Sequence, residues 1–215
     1  MIGIIGGAGP FAGVKFLEQI FRLCQTNYGC SKDADFPKVL LLSFPFTEML
    51  SVEIDPVQVK KELKDCLDTL KKNGAQVCVI ACNTLHAFLG EENEGLILLP
   101  DILTQEFKDR SPLVLCTTTS MRYALHKACS YPNPSDQARV DAIIDEILKG
   151  EEENLIVPRL TDFIEEQKEN TIVLGCTELS LFASQLKVPG KTVIDLVELA
   201  AQKIVDESFS ARRSI

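Results

Sequence analysis

The chain has 215 residues, 46% of them hydrophobic and 25% charged, with a formal net charge of −9 and a pI near 4.8. That length suits one large domain or two small ones, and the acidity argues against nucleic acid as a main partner. No apolar run approaches the roughly 20 residues of a membrane span, and Met1 to Gly7 lacks the basic region of a signal peptide, so a cytoplasmic protein with reduced cysteines is expected.

Strands and helices alternate along the chain. Met1 to Gly6 reads as a strand. Pro10 to about Tyr28 reads as a helix with Val14, Leu17, Ile20, Phe21 and Cys24 on one face, Pro10 suiting its first turn. Val39 to Phe44 is a second strand. Asp55 caps a helix that stops near Asn73-Gly74. Val77 to Ala81 is a third strand, with a short helix from about Thr84. Leu96 to Leu99 and Leu113 to Cys116 follow as strands, separated by a short helix from about Ile102. Ser120 to about Ala128, Pro134 to Leu148 and Leu155 to Lys168 read as helices. Ile172 to Gly175 and Thr192 to Ile194 are late strands, and Asp195 to about Glu207 is a helix, leaving a tail from Ser208 to Ile215. This alternation implies α/β architecture with mostly parallel sheets flanked by helices.

Two cysteines occupy matching places. Cys82 closes Val77-Cys78-Val79-Ile80-Ala81, and Cys176 closes Ile172-Val173-Leu174-Gly175. Both runs are short and rich in β-branched residues, so each cysteine lies at the carboxyl end of a buried parallel strand, the edge where such sheets bind ligands. The repeated pattern of helix, apolar strand and cysteine suggests a weak internal duplication: two pseudo-symmetric α/β lobes facing each other, one cysteine from each. The eight cysteines include no C-x-x-C, and two histidines complete no zinc pattern, so no metal is expected. Cys24, Cys66, Cys78, Cys116 and Cys129 read as small buried hydrophobes.

Around the two thiols, Gly7 to Ala12 fits a loose dinucleotide pattern. The second strand ends without the acid that would hold a ribose. A carboxylate-binding turn or a purely steric tight turn fits better. After Cys82, Asn83 and Thr84 offer hydrogen bonds to a carboxylate, and a helix start there favours a thiolate. His86 either orients Cys82 or bonds a backbone carbonyl. Glu178 is either a helix-start acid or the holder of the Cys176 proton. The hydroxyls of Cys116-Thr117-Thr118-Thr119-Ser120 suit carboxylate binding or helix capping equally.

Gly6-Gly7-Ala8-Gly9-Pro10, Cys82-Asn83-Thr84-Leu85-His86 and Gly175-Cys176-Thr177-Glu178-Leu179 together resemble the aspartate/glutamate racemase superfamily, nearest its aspartate racemase branch. The resemblance implies a homodimeric, cofactor-independent amino-acid racemase with the active site between two α/β lobes, residues 1–100 plus 196–215 carrying Cys82 and residues 101–195 carrying Cys176. It implies that Cys82 and Cys176 are the acid/base thiols. Gly7, Asn83, Thr84, Thr118, Thr119 and Thr177 would hold the substrate's carboxylate and amino groups, and Lys149 its side-chain carboxylate. One departure stands out. An arginine that aspartate racemases carry after the second strand is replaced here by Phe44-Pro45-Phe46-Thr47-Glu48, so broad or non-acidic specificity is expected. The rivals are glutamate or hydantoin racemisation, cis–trans isomerisation of a dicarboxylate, a catalytically silent amino-acid-binding protein and a thiol redox protein.

Overall fold

The computed structural model describes residues 1–46, 54–90, 94–107 and 111–213. Four strands, β1 (Ile2–Gly6), β2 (Val39–Ser43), β3 (Val77–Ile80) and β4 (Leu96–Ile97), form a parallel sheet in the order β2-β1-β3-β4. Three more, β5 (Leu113–Leu115), β6 (Thr171–Leu174) and β7 (Thr192–Asp195), form a second parallel sheet in chain order. Parallel pairing requires a crossover between strands, and the helices provide it: α1 (Pro10–Tyr28), α2 (Pro56–Lys72), α3 (Leu99–Glu106), α4 (Thr118–Arg122), α5 (Pro134–Lys149), α6 (Glu153–Glu166) and α7 (Leu196–Arg213). The fold class expected from the alternation is the one observed.

Local chemistry sets the boundaries. Asp55 accepts bonds from the Val57 and Gln58 amides and starts α2. Asn133 does the same for α5 with Ser135 and Asp136, and Gly150 ends that helix in the left-handed conformation.

Four expectations are corrected. Val14 is 55% exposed, and α1 instead buries Ala12, Gly13, Phe16, Ile20 and Cys24, because the helix turns its small residues toward the sheet. The strand expected over Leu96 to Leu99 stops at Ile97, since Pro100 stands in the first turn of α3. The helix expected over Ser120 to Ala128 is the short α4, which ends where Ala124 takes a positive φ of 48°. Residues 208–213 are helical, within α7.

The main core joins both sheets. Ile2, Ile4 and Val79 of the first and Val114 and Val173 of the second lie in one buried cluster with Phe16 and Ile20 of α1. Helix α7, which follows the second sheet, returns to pack on α1 and the first. Leu196, Val197, Ala200, Ala201, Ile204 and Val205 enter the same cluster, and Tyr28 stacks on Phe209 at 4.1 Å. No described helix is long and apolar enough to cross a membrane.

Candidate active site

Cys82 stands two residues beyond the end of β3, and Cys176 two residues beyond the end of β6. The backbones agree further. The Ala81 amide donates to the Ile5 carbonyl and the Gly175 amide to the Leu115 carbonyl, both at 2.8 Å. After each cysteine the chain tightens into a 3₁₀ turn, Thr84–Phe88 in one case and Leu179–Gln185 in the other. The two corners are strapped to each other. Asn83 Nδ2 donates to the Gly175 carbonyl at 2.5 Å. Thr177 Oγ1 offers its proton to the Ala81 carbonyl at 3.3 Å and to Glu178 Oε2 at 3.2 Å.

Both thiols line one cavity of about 340 Å³, 7% and 5% exposed respectively. Gly7, Asn83, Thr84, Lys149, Thr177 and Glu178, all anticipated from the sequence, line it too. Gly7 and Gly9 shape one wall. Both have positive φ, and a Cβ on Gly7 would fall 1.9 Å from the Phe44 carbonyl oxygen. A Cβ on Gly9 would fall 1.6 Å from Glu178 Oε1. Glycine is therefore required for the acid to lie where it does.

Thr118 and Thr119 are not among the lining residues; Thr117 and Ser120 are. Thr117 is the N-cap of α4 and accepts from the Ser120 amide at 3.1 Å, which turns residues 117 and 120 to the cavity together. Thr118 faces the other way and bonds Asp141 through its amide, at 2.9 Å, and its hydroxyl. Thr84, Thr117 and Ser120 form a triangle of hydroxyls with sides of 3.0, 3.1 and 3.1 Å. Three hydroxyls so close are a ready set of donors for a carboxylate.

His86 does not line the cavity. Its Nδ1 lies 3.0 Å from the Cys82 carbonyl, and its Nε2 accepts from the Leu99 amide at 3.2 Å. This arrangement needs the neutral ring protonated on Nδ1, and burial pushes the group down to about 4. Of its two readings, the backbone-bonded one is observed. Glu178 meets both of its readings, standing at the start of the second 3₁₀ turn as well. The Cys176 thiol donates to its Oε2 at 2.9 Å.

Burial pushes Cys82 up to about 12, with the Glu178 charge adding to the rise. Bonds from the Leu85 and Thr84 amides and the Thr84 hydroxyl act in the opposite direction. Burial raises Cys176 well above the ordinary thiol range, and the Glu178 carboxylate adds to it. Burial also raises Glu178 itself, against the bonds it accepts. Its Oε1 and Asn83 Oδ1 are buried with no hydrogen-bond partner among the described residues. Two orphaned acceptors in one cavity invite a donor from a ligand.

Phe46, in the stretch that replaces the expected arginine, lines the cavity, and so do Ile144, Asp145 and Leu148, which sequence reasoning missed. The i, i+4 spacing of 144 with 148 and of 145 with Lys149 was the signal available for these three. Thr47 to Leu50, part of the stretch that replaces the expected arginine, lie outside the described residues. Among the described residues, no three His, Cys, Asp or Glu side chains are grouped to hold a metal ion.

Aspartate racemase of Picrophilus torridus has a closely similar structure, with a TM-score of 0.76 over 97% of this chain and 94% of that one at 20% identity. The fold is that of the aspartate/glutamate racemases. An aspartate racemase homologue from Pyrococcus horikoshii aligns at a TM-score of 0.69 over 97% of this chain and 98% of that one, at 24% identity. In sequence, the chain is 29% identical over 133 residues to the broad-specificity amino-acid racemase RacX of Bacillus subtilis. That match covers 59% of this chain and 59% of the relative's length. No protein-family model matches. The chain thus shares the fold of these aspartate racemases and, over part of its length, resembles an amino-acid racemase in sequence.

Proposed function

We propose that this protein is an amino-acid racemase, an isomerase that works without pyridoxal phosphate by direct proton transfer at Cα. The observation that carries the reading is the pair of buried thiols presented by two strand ends to one cavity. The named relatives, amino-acid racemases, support it. The lobe limits at residues 100 and 195, the homodimer and the two-thiol chemistry belong to the same proposal.

The α-carboxylate lies against the hydroxyls of Thr84, Thr117 and Ser120. The α-ammonium lies against Asn83 Oδ1 and Glu178 Oε1, which satisfies both orphaned acceptors. Cα is then held between the two sulfurs. The Cys82 thiolate removes the Cα proton, and the Cys176 thiol delivers its own proton to the opposite face. The opposite enantiomer reverses the roles. Hydroxyls and amides already aimed at the carboxylate stabilise the carbanion-like transition state without reorganising. The two sulfurs, Asn83, Thr84 and Thr177 are themselves buried, which strengthens the contacts they make.

The test is proton NMR in deuterium oxide with a panel of L- and D-amino acids. Loss of the Cα proton signal from at least one of them is expected. A panel that binds without exchange would mark a silent binding protein instead.

A further inference from the structure

We infer that the side-chain end of this cavity takes an uncharged aliphatic or thioether side chain, and that Asp145 keeps a second carboxylate out by neutralising Lys149. The inference rests on the racemase reading above and names its substrate class.

The last turn of α5 presents two stripes to the cavity, Ile144 with Leu148 and Asp145 with Lys149. Lys149 is the one cation among the described lining residues. Its Nζ bonds Asp145 Oδ2 at 2.5 Å. The pair is well exposed, 69% and 46% at the side chains, so it adds little to stability. Its effect is on the cavity: the positive charge a second carboxylate would need is already met by the same helix. The surrounding field is adverse as well. A helix C-terminus carries partial negative charge, and α5 ends here, at Gly150. Glu178 contributes a carboxylate from another side. A carboxylate without a cation in such surroundings is costly. What remains is apolar: Phe46 from beyond β2, then Ile144 and Leu148 from α5. At about 340 Å³ the cavity is at the small end for ligand sites, which suits one amino acid.

The experiment measures kcat/KM by Cα hydrogen–deuterium exchange for methionine, leucine, aspartate, glutamate and lysine. It uses the wild type, Asp145→Asn and Leu148→Arg. The wild type is expected to favour methionine or leucine over aspartate at least tenfold. Asp145→Asn frees Lys149 and is expected to raise the aspartate-to-methionine ratio about fivefold. Leu148→Arg is expected to raise it further. An acidic or basic preference in the wild type overturns the inference while leaving the racemase standing. So does an aspartate-to-methionine ratio unmoved by Asp145→Asn. Exchange with no amino acid at all overturns the racemase reading, and this inference with it.

Discussion

The two cysteine corners share a backbone and differ in electrostatics. Each thiol lies two residues past its strand and heads a 3₁₀ turn. At the Cys82 corner the sulfur is surrounded by donors, the Thr84 and Leu85 amides and the Thr84 hydroxyl. At the Cys176 corner the sulfur is itself the donor, to Glu178 Oε2. In the proposed two-thiol reaction the groups must be in opposite protonation states, and of these two corners the one at Cys82 offers a negative sulfur the more donors while the one at Cys176 offers its proton an acceptor. The residue after each cysteine also has two duties. Asn83 and Thr177 face the cavity and bond across to the opposite corner, so the two corners are held together by residues that also line the cavity.

The hardest test removes the thiols one at a time. Cys82→Ser and Cys176→Ser are each expected to lower racemisation at least a thousandfold with the fold unchanged by circular dichroism, because serine is too weak an acid to supply the base. Full activity in either would break the pairing. Next comes the acid that distinguishes the corners. Glu178→Gln is expected to lower kcat about a hundredfold, within the range for lost acid–base assistance. It also removes a charge that raises both thiols, so its pH–rate profile moves to lower pH. Gly9→Ala is expected to cost about as much, because its new Cβ occupies the place of Glu178 Oε1. The double variant should then be far from additive. An additive result would mean that the glycine acts independently of the acid.

A third test separates stability from chemistry. His126 is fully buried, and burial pushes it down to about 4 from an ordinary 6.5. The unfolded chain therefore binds the extra proton first, so this contribution is present above pH 6.5 and is lost as pH falls toward 4. Between pH 7 and pH 5 the loss is about 2 kcal/mol. His86, pushed down equally, adds a similar loss, so the fall in urea midpoints between the two pH values is expected to be reduced by about half in His126→Leu, with the pH–rate profile unchanged. The finest test titrates the sulfurs by thiolate absorbance. The Cys176→Ser variant, which retains Cys82, should form its site thiolate at lower pH than Cys82→Ser, because the Cys82 sulfur receives more donors. The reverse order would exchange the roles of the two corners.

Much of this site is legible in the sequence because backbone chemistry announces it. A β-branched run followed by Cys-Asn-Thr or Cys-Thr-Glu fixes a strand, its carboxyl end and a thiol there. The sheets follow from the alternation of elements. What stays hidden depends on rotation or on partners far along the chain. Thr117 to Ser120 are four hydroxyl residues in a row, and composition alone does not say that the capping bond turns 117 and 120 to the cavity and leaves 118 to Asp141. His86 has spacing suited to Cys82, yet the ring is committed to backbone at 82 and 99. Asp145 reads as one more acid on a helix until the fold brings α5 to the cavity. Val14 misleads for a related reason: a large apolar residue on α1 yields the inner face to Gly13, which packs against Gly6.

Helix α7 has a consequence for the order in which this molecule can be completed. When synthesis has passed Asp195, every strand and both thiols have been made, but the wall formed by Leu196 to Val205 has not. Until then Phe16, Ile20 and the inner side of the first sheet lack the helix that covers them. Tyr28 likewise waits for Asp206 and Phe209, and Asn27 for Gln202. The first sheet, made before the second, is therefore sealed after it. A chain stalled near residue 195 would expose a broad apolar face beside its reactive sulfurs, the kind of species that aggregates before it matures.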